Sequence, residues 1–189
     1  NSAYHLAGLV CFDAAIASDI LRAALEQVVQ RHVLLRSAVA AGGPTPTLHP
    51  VTAQIHEVAE DDRDFAAAID ARVHQPFDLE REAPLRAWLH NHGQRTQLLL
   101  VLHHAAADGW SLAVLTRELA NCLQALLAGR SPALPELPFS PADWAAFQRA
   151  ELASPASDPS LGYWRSQLAG APRTLDLPGD RPRPAQASH

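Results

Sequence analysis

The sequence contains no methionine, only two cysteines and no long hydrophobic run. Its longest purely aliphatic stretch is 98–102, far short of the about 20 apolar residues that a membrane-spanning helix needs. No basic segment followed by an apolar one opens the chain, so nothing predicts export. Cys11 and Cys122 lack metal-ligand spacing, and we expect both to be reduced core residues. These absences predict a soluble, cytoplasmic protein with no membrane partner.

The chain also lacks a strong excess of either charge. Its net charge is −5 at pH 7, which gives no electrostatic basis for binding nucleic acid. Nearly half of its 189 residues are apolar and 19% are charged, a composition typical of one folded domain. It begins at Asn1, and the tail after Gly179 is rich in proline and alanine. We therefore expect a piece of a longer protein.

The spacing of apolar residues predicts strands and helices that alternate along the chain. Strands are predicted over 6–12, 34–40, 47–51, 54–58, 85–90 and 97–102. Helices are predicted from residue 19 to Arg31 or His32 and over 65–73, 110–127, 141–147 and 161–168. Ser18 is the predicted N-cap of the first helix, and a turn is predicted at Gly42-Gly43-Pro44. The strands before and after Gly93 form a hairpin whose second strand is buried on both faces. This interleaving predicts an α/β fold.

Two adjacent histidines follow that buried strand. His103 and His104 come first, Asp108 lies four residues after the second, and Gly109 precedes a helix. Adjacent residues on a strand point to opposite faces, so the two imidazoles cannot share one role. We expect one to face a packed layer and the other to face an opening at the end of the strand.

These residues suit proton transfer better than metal binding. His104 and Asp108 could both ligate a metal, but no third ligand stands at a suitable spacing, so we expect no metal. A neutral His104 imidazole can take a proton from an amine, hydroxyl or thiol that attacks an acyl thioester. Amides at the start of the next helix could stabilise the oxyanion, with Gly109 allowing close approach and Ser111 donating another hydrogen bond.

Asp108 is the poorer candidate for proton transfer. A carboxylate just after the loop is better placed to hold the shape of the loop, by pairing with an arginine or with backbone amides. Loop architecture is therefore its predicted role.

Four stretches resemble motifs of nonribosomal peptide synthetase condensation domains, in the right order along the chain. HHAAADGWS, from His103 to Ser111, resembles the HHxxxDG motif, and RHVLLR, from Arg31 to Arg36, resembles RHxxLR. SPADWAAFQR, at 140–149, is similar to a weaker YxDYAxWQR-type motif. The segment 161–184 is similar to the connection between the two halves of such domains.

The resemblance implies a chloramphenicol acetyltransferase-like fold, in which two lobes enclose a tunnel. Each lobe has a mixed β-sheet with flanking helices. Residues 1–178 would form the N-terminal lobe, and 179–189 would connect it to an absent C-terminal lobe. The implied partners are that lobe and the upstream and downstream peptidyl carrier domains. No cofactor would bind directly, because the carriers deliver their substrates on 4'-phosphopantetheine arms.

The implied reaction is amide bond formation between a carrier-bound acyl or peptidyl thioester and a carrier-bound aminoacyl group. His104 is the expected central residue, either as a base or as a group that positions the α-amine. We expect Asp108 to form an ion pair with Arg31, with Arg36 as the alternative partner. Trp110 is expected to serve packing rather than substrate contact.

Three other functions remain open at this point. An epimerisation domain shares the two histidines, and a free-standing acyltransferase would use coenzyme A. A degenerate domain would only dock a carrier or a tailoring enzyme. The GWS run at 109–111 and the DRPRP run at 180–184 favour condensation. We expect this chain alone to be inactive, because half of the tunnel wall is absent, and to self-associate through the face left uncovered.

Overall fold

A computed structural model describes residues 2–40, 47–58, 61–154 and 158–173 of the chain. The turn predicted at Gly42-Gly43-Pro44 and the connector predicted at 179–189 lie outside the described residues. The chain divides into two compact units, Asn1–Pro138 and Phe139–His189. The predicted boundary after residue 178 also falls outside the described residues and stays a prediction.

The first unit contains six strands and three helices among its described residues. In chain order these are β1 (His5–Phe12), α1 (Ser18–Arg31), β2 (Ser37–Ala40), β3 (Thr47–Pro50), β4 (Gln54–Val58), α2 (Asp62–His74), β5 (Leu85–His92), β6 (Arg95–His103) and α3 (Gly109–Leu127). Short 3-10 turns cover Ser2–Tyr4 and Val33–Arg36. The second unit contributes α4 (Pro141–Ala153) and α5 (Asp158–Gln167).

The main sheet has the strand order β1-β6-β5-β4. β1 and β5 both run antiparallel to β6, and β4 runs parallel to β5, so the sheet is mixed. β2 and β3 form a separate antiparallel pair. In the register of β1 on β6, His5 lies opposite His103. The predicted hairpin of β5 and β6 is confirmed, and Gly93 at its turn has φ +57°.

Helices cover both faces of this sheet. α1 and α3 bury the larger core on one face, and α2 packs a smaller core of Phe65, Trp88, Leu99 and Val101 on the other. The five residues 98–102 of β6 are all buried, as predicted for a strand covered on both sides. The larger core includes Leu21, Leu25, Val28, Leu85, Leu98, Leu100, Leu102, Leu115, Leu119 and Cys122. Burying each leucine contributes roughly 1.5–3 kcal/mol to the free energy of unfolding. The cores on both faces of the sheet therefore fix the position of the end of β6.

Three local predictions were wrong. The N-cap of α1 is Ala17 without a side-chain cap bond, and the Ser18 hydroxyl instead accepts a hydrogen bond of 2.8 Å from the Asn91 amide. The strand predicted from residue 34 begins only at residue 37, because the preceding residues wind into a 3-10 turn that buries Leu35. Cys122 is a buried core residue, whereas Cys11 lies exposed on β1, the edge strand of the sheet.

The second unit exposes its aromatic side chains. Ser140 caps α4 through a reciprocal box with Asp143, and Pro141 occupies the first turn, as the sequence predicts for a helix start. Trp144 and Phe147 on α4 stack at 5.4 Å, and both are more than half exposed, as is Trp164 on α5. Among the described residues of the whole chain, no helix has the length and apolarity to cross a membrane.

Candidate active site

The two histidines lie at the end of β6, where main-chain hydrogen bonds hold them from both sides. The His103 N–H donates to the Pro84 carbonyl at 3.0 Å, and the His104 N–H donates to the Tyr4 carbonyl at 2.7 Å. The Ala106 N–H donates to the His103 carbonyl at 3.0 Å, and this bond closes a turn over residues 103–106. The backbone that carries His104 is therefore fixed by the strands and segments on either side.

The His103 imidazole is half-buried and has a defined protonation state. The Ala105 N–H donates to its Nδ1 at 3.0 Å. An amide N–H can only donate, so Nδ1 carries no proton and the neutral ring is protonated at Nε2. Burial lowers the pKa of His103 below its ordinary value, and the positive charges of His5 and His104 lower it further. His103 therefore stays neutral at pH 7 and serves to hold the turn.

The His104 imidazole faces outward instead. The residue is exposed, and its ring has no hydrogen-bond partner among the described residues. This arrangement follows the alternation predicted from the sequence, with one histidine in a packed layer and the other at an opening. The His104 ring is therefore open to solvent.

Asp108 caps the start of α3. Its Oδ1 accepts from the Ser111 N–H at 2.8 Å and from the Ser111 hydroxyl at 2.6 Å, while the Asp108 N–H donates to Ser111 Oγ at 3.1 Å. The bond from the Ser111 hydroxyl, followed by the bond from its N–H, lowers the pKa of Asp108. Both donors of Ser111 are thus engaged by Asp108, which corrects the expectation that the Ser111 hydroxyl donates to a substrate.

The predicted ion pair between Arg31 and Asp108 was wrong. Arg31 Nε donates to Glu118 Oε1 at 3.2 Å, and His32 Nε2 lies 2.7 Å from Glu118 Oε2. Arg31 ends α1, which packs against the middle of α3, whereas Asp108 lies ten residues earlier, about 15 Å along that helix axis. The alternative partner, Arg36, donates from Nε to the Gln30 carbonyl at 3.1 Å.

Gly109 and Trp110 lie on an open surface. A Cβ atom added to Gly109 would meet no atom within 4 Å, so nothing in the described residues requires a glycine there. The Trp110 side chain is 81% exposed. The described residues of this chain therefore do not supply the packing expected for Trp110, and that role stays a prediction.

Sequence reasoning missed Glu118 as the partner of Arg31, and it missed the rings that surround His103. Glu118 lies in a largely apolar helix and was not predicted to pair with any residue. Its position on the same helical face as Leu115 and Cys122 indicates that its charge is buried and needs a partner. The rings near His103 belong to Tyr4, His5 and Phe77. They come from distant segments, and no local spacing joins them. In the part of the chain that the structure describes, no three His, Cys, Asp or Glu side chains are grouped to hold a metal.

The sequence of the whole chain matches one family. The family described as Condensation domain matches over residues 1–189. The chain belongs to the condensation domain family. Its mixed sheet with flanking helices is the chloramphenicol acetyltransferase-like fold of that family.

Individual relatives of this condensation domain are much longer peptide synthetases. The probable non-canonical nonribosomal peptide synthetase CymA from Salinispora arenicola is 43% identical over 180 residues, covering 89% of this chain and 2% of CymA. The phosphinothricin tripeptide synthetase PhsC from Streptomyces viridochromogenes is 35% identical over 196 residues, covering 98% of this chain and 18% of PhsC. The chain thus spans a small fraction of these relatives.

A solved structure shows the same fold. The X-domain from teicoplanin biosynthesis, in complex with OxyB, superimposes with a TM-score of 0.83 at 30% sequence identity. The match covers 97% of this chain and 42% of that one. The chain therefore corresponds to somewhat less than half of the solved domain.

Proposed function

We propose that residues 1–178 are the N-terminal lobe of a condensation domain that forms a peptide bond, and that 179–189 lead to a C-terminal lobe. The observation that carries this proposal is the arrangement of the two histidines. His104 presents an unpartnered, exposed imidazole on a turn that His103 and the neighbouring carbonyls hold in place. Preorganisation of this kind is what proton transfer at a reacting centre requires.

The substrates would arrive on two carrier domains. An upstream carrier presents an acyl or peptidyl thioester on a 4'-phosphopantetheine arm, and a downstream carrier presents an aminoacyl thioester with a free α-amine. The amine nitrogen attacks the donor carbonyl carbon, and a C–N bond forms. As the C–S bond breaks, the donor arm leaves as a thiol and the lengthened chain stays on the downstream arm.

His104 would orient the amine and receive its proton. An α-amine titrates near 7.7–8, so an appreciable fraction is already neutral and needs no strong base before attack. After attack, the His104 imidazole takes the proton from the new ammonium group. It then donates that proton to the departing sulfur, which returns the ring to its neutral form.

The oxyanion would lie closer to His104 than to the first turn of α3. The Asp108 carboxylate already accepts from the Ser111 N–H, and its negative charge would repel a second anion at the same amides. The imidazolium formed at His104 supplies a positive charge beside the oxyanion. Gly109 leaves room for a substrate or for the second lobe to approach the loop.

One comparison favours a second function, docking without chemistry. The X-domain to which this chain is similar is solved as a complex with OxyB. A domain that only docks OxyB-like enzymes or carriers would have no use for an exposed imidazole on a fixed turn. We therefore place condensation first.

The decisive experiment uses the domain with its second lobe restored. Donor and acceptor carriers are loaded, and dipeptide formation is followed by mass spectrometry for the wild type and for His104→Ala. Loss of one proton-transfer group predicts a fall of roughly 10²–10⁴-fold. His49→Ala is the matched control, because His49 is an exposed histidine on β3. Equal product from His104→Ala and wild type removes His104 from the chemistry, and no product from the wild type favours docking.

A further inference from the structure

A buried arginine on β5 holds the segment between α2 and β5, and the proposed chemistry does not use it. Arg86 is 2% exposed. Its Nη1 donates to the Gln75 carbonyl at 2.8 Å, and its Nη2 donates to the Pro76 carbonyl at 2.7 Å. Its Nε and Nη2 also reach the two carboxylate oxygens of Glu82, at 3.2 and 2.7 Å. Four of its five N–H groups are thus used to fix one turn of chain.

Glu82 completes this buried ion pair. Besides Arg86, its carboxylate accepts from the Asp78 N–H at 2.6 Å and from the Gln54 side-chain amide at 2.9 Å. A buried ion pair whose remaining hydrogen-bonding positions are filled fixes one geometry, and removing one partner is costly. Arg86 and Glu82 therefore hold the segment 75–82 in a defined position beside the sheet.

The arginine also fixes an aromatic ring. The Arg86 guanidinium carbon lies 4.1 Å from the centroid of the Phe77 ring, within the range of a cation–π contact. The Phe77 ring meets the rings of His5 and His103 edge to face, at 5.0 and 6.0 Å with interplanar angles of 85°. Phe77 is thus in contact with Arg86 and with two imidazoles.

A hydrogen bond fixes the His5 ring next to Phe77. Its Nδ1 lies 2.6 Å from the Val73 carbonyl, and a carbonyl only accepts, so Nδ1 carries the proton. The His5 ring meets the His103 ring at 5.8 Å. Tyr4, whose ring is stacked 6.4 Å away, completes the surroundings of His103. The charged and titratable groups around His103 are therefore His5, Tyr4 and His104, with Arg86 behind Phe77.

We propose that Phe77, held by Arg86, is a positioning residue for His104. Phe77 fixes the plane of the His103 ring, the His103 Nδ1 holds the Ala105 amide, and that bond sets the turn that presents His104. Phe77 does not touch a substrate and acts only through His103. The effect on turnover rests on the proposed function, whereas the effect on the His103 ring does not.

The first test is nuclear magnetic resonance of the 189-residue chain with labelled histidines. In the wild type, His103 is expected as the Nε2–H tautomer, titrating below 6.5. Phe77→Leu keeps an apolar side chain but removes the ring contacts, so the tautomers should mix and the titration should move toward 6.5. Phe77→Tyr should restore the wild-type spectrum, and Phe147→Leu on α4 is the matched control. An unchanged His103 spectrum in Phe77→Leu overturns the proposal.

A second variant keeps the proposal testable if Phe77→Leu does not fold. Arg86→Lys keeps the positive charge but loses the planar guanidinium group that donates to two backbone carbonyls and to the Glu82 carboxylate. It should shift the His103 tautomer in the same direction as Phe77→Leu. If Phe77→Leu does not fold, a wild-type His103 spectrum in folded Arg86→Lys overturns the proposal.

Turnover is measured separately in the domain with both lobes. A small displacement of His104 predicts a fall in kcat on the order of ten- to a hundredfold for Phe77→Leu, with KM for the acceptor nearly unchanged. A wild-type kcat in Phe77→Leu, with His104→Ala inactive, rejects the positioning role and leaves the proposed function standing. If His104→Ala is as active as wild type, the role of His104 fails while condensation stands, and if the wild type gives no product the proposed function fails; in both cases the His103 spectra alone decide whether Phe77 fixes the His103 ring.

Discussion

Glu118 is a single carboxylate that joins two helices of the first unit. It is 8% exposed and lies on α3, where it meets both Arg31 and His32 from the end of α1. Removing one member of such a group leaves the others partly buried without their partner, which costs more than the bonds themselves contribute.

We expect Glu118→Ala to lower the free energy of unfolding by about 2–3 kcal/mol. The measurement is urea denaturation of this chain. Arg36→Ala is the matched control, because Arg36 makes one exposed bond to a carbonyl and should change stability by less than about 0.5 kcal/mol. Equal midpoints for the two variants would show that the Glu118 bridge adds no net stability.

Asp108 makes the stability of the chain sensitive to acid. Its pKa in the folded chain is lowered from the ordinary value of 3.8, chiefly by the Ser111 hydroxyl. A carboxyl with a lowered folded-state pKa stabilises fully above its unfolded pKa, and that stabilisation is lost as the pH falls through the folded value. Asp108→Asn should therefore lose less stability than wild type as the pH falls from about 5 to below 3.8, the ordinary pKa of the carboxyl.

The experiment is urea unfolding of both proteins across that range of pH. Asp143 makes the same kind of cap on α4, and its pKa is also lowered, chiefly by the Ser140 hydroxyl. Asp143→Asn is therefore the control for a cap of the same kind in the second unit. Parallel pH curves for wild type and Asp108→Asn would contradict the role assigned to the Asp108 charge.

At the scale of the elements, the end of α3 depends on one glycine. Gly129 has φ +66°, and the Gly129 N–H donates to the Leu126 carbonyl at 2.9 Å. A residue with a Cβ is strained in this left-handed conformation. We expect Gly129→Ala to cost about 1 kcal/mol, measured as a shift in the urea midpoint.

Gly8→Ala serves as the control for that substitution. Gly8 lies in β1 without a positive φ, and a Cβ added there would meet nothing within 4 Å. Alanine should therefore be neutral or slightly stabilising at that position. A Gly129→Ala variant as stable as Gly8→Ala would mean that α3 can end by another route.

Most elements could be predicted from the sequence because their signals are local. The prediction for β4 was confirmed at both ends. α3 begins one residue earlier than predicted and ends where predicted, because apolar spacing marks the helix and a glycine follows its end. The start of α1 was wrong because the Ser18 hydroxyl serves Asn91. Asn91 is 73 residues away in sequence, so no window around residue 18 contains that information.

The site was predictable only in part, for the same reason. Strand alternation predicts that one of the two histidines faces outward, but not which one. A capping carboxylate is readable in the spacing of Asp108 and Ser111. The partner of Arg31 depends on how α1 packs along α3. The rings around His103 come from β1 and from the segment before β5. Tertiary packing determines the partner of Arg31 and the rings around His103, and the spacing of residues along the chain determines neither.

At the scale of the whole molecule, the chain leaves large aromatic surfaces uncovered. Trp110 in the first unit and Trp144, Phe147 and Trp164 in the second are each more than half exposed. Exposed apolar side chains that adjoin each other, as Trp144 and Phe147 do, mark surfaces that another protein covers. The purified 189-residue chain should therefore self-associate as its concentration rises, measured by light scattering, and should show negligible condensation.

A chain that stays monomeric at high concentration would contradict the first part of this prediction. Turnover by the chain alone, at a rate near that of the domain with both lobes, would contradict the second. Trp110→Ser tests the first unit separately. It should reduce association without loss of stability, because its side chain has no packing to lose.

The pairing of β1 with β6 also determines when the histidine turn can form during synthesis. β1 ends at Phe12, and its partner strand is complete only at His103. At the usual 5–20 residues per second, the ribosome needs roughly 5–20 s to make the intervening chain. For that time β1, an uncharged strand, has no partner along the edge that β6 will occupy. The Tyr4 carbonyl meets the His104 amide only after that wait, so the turn that presents His104 cannot form before nearly all of β1 to β6 has been made.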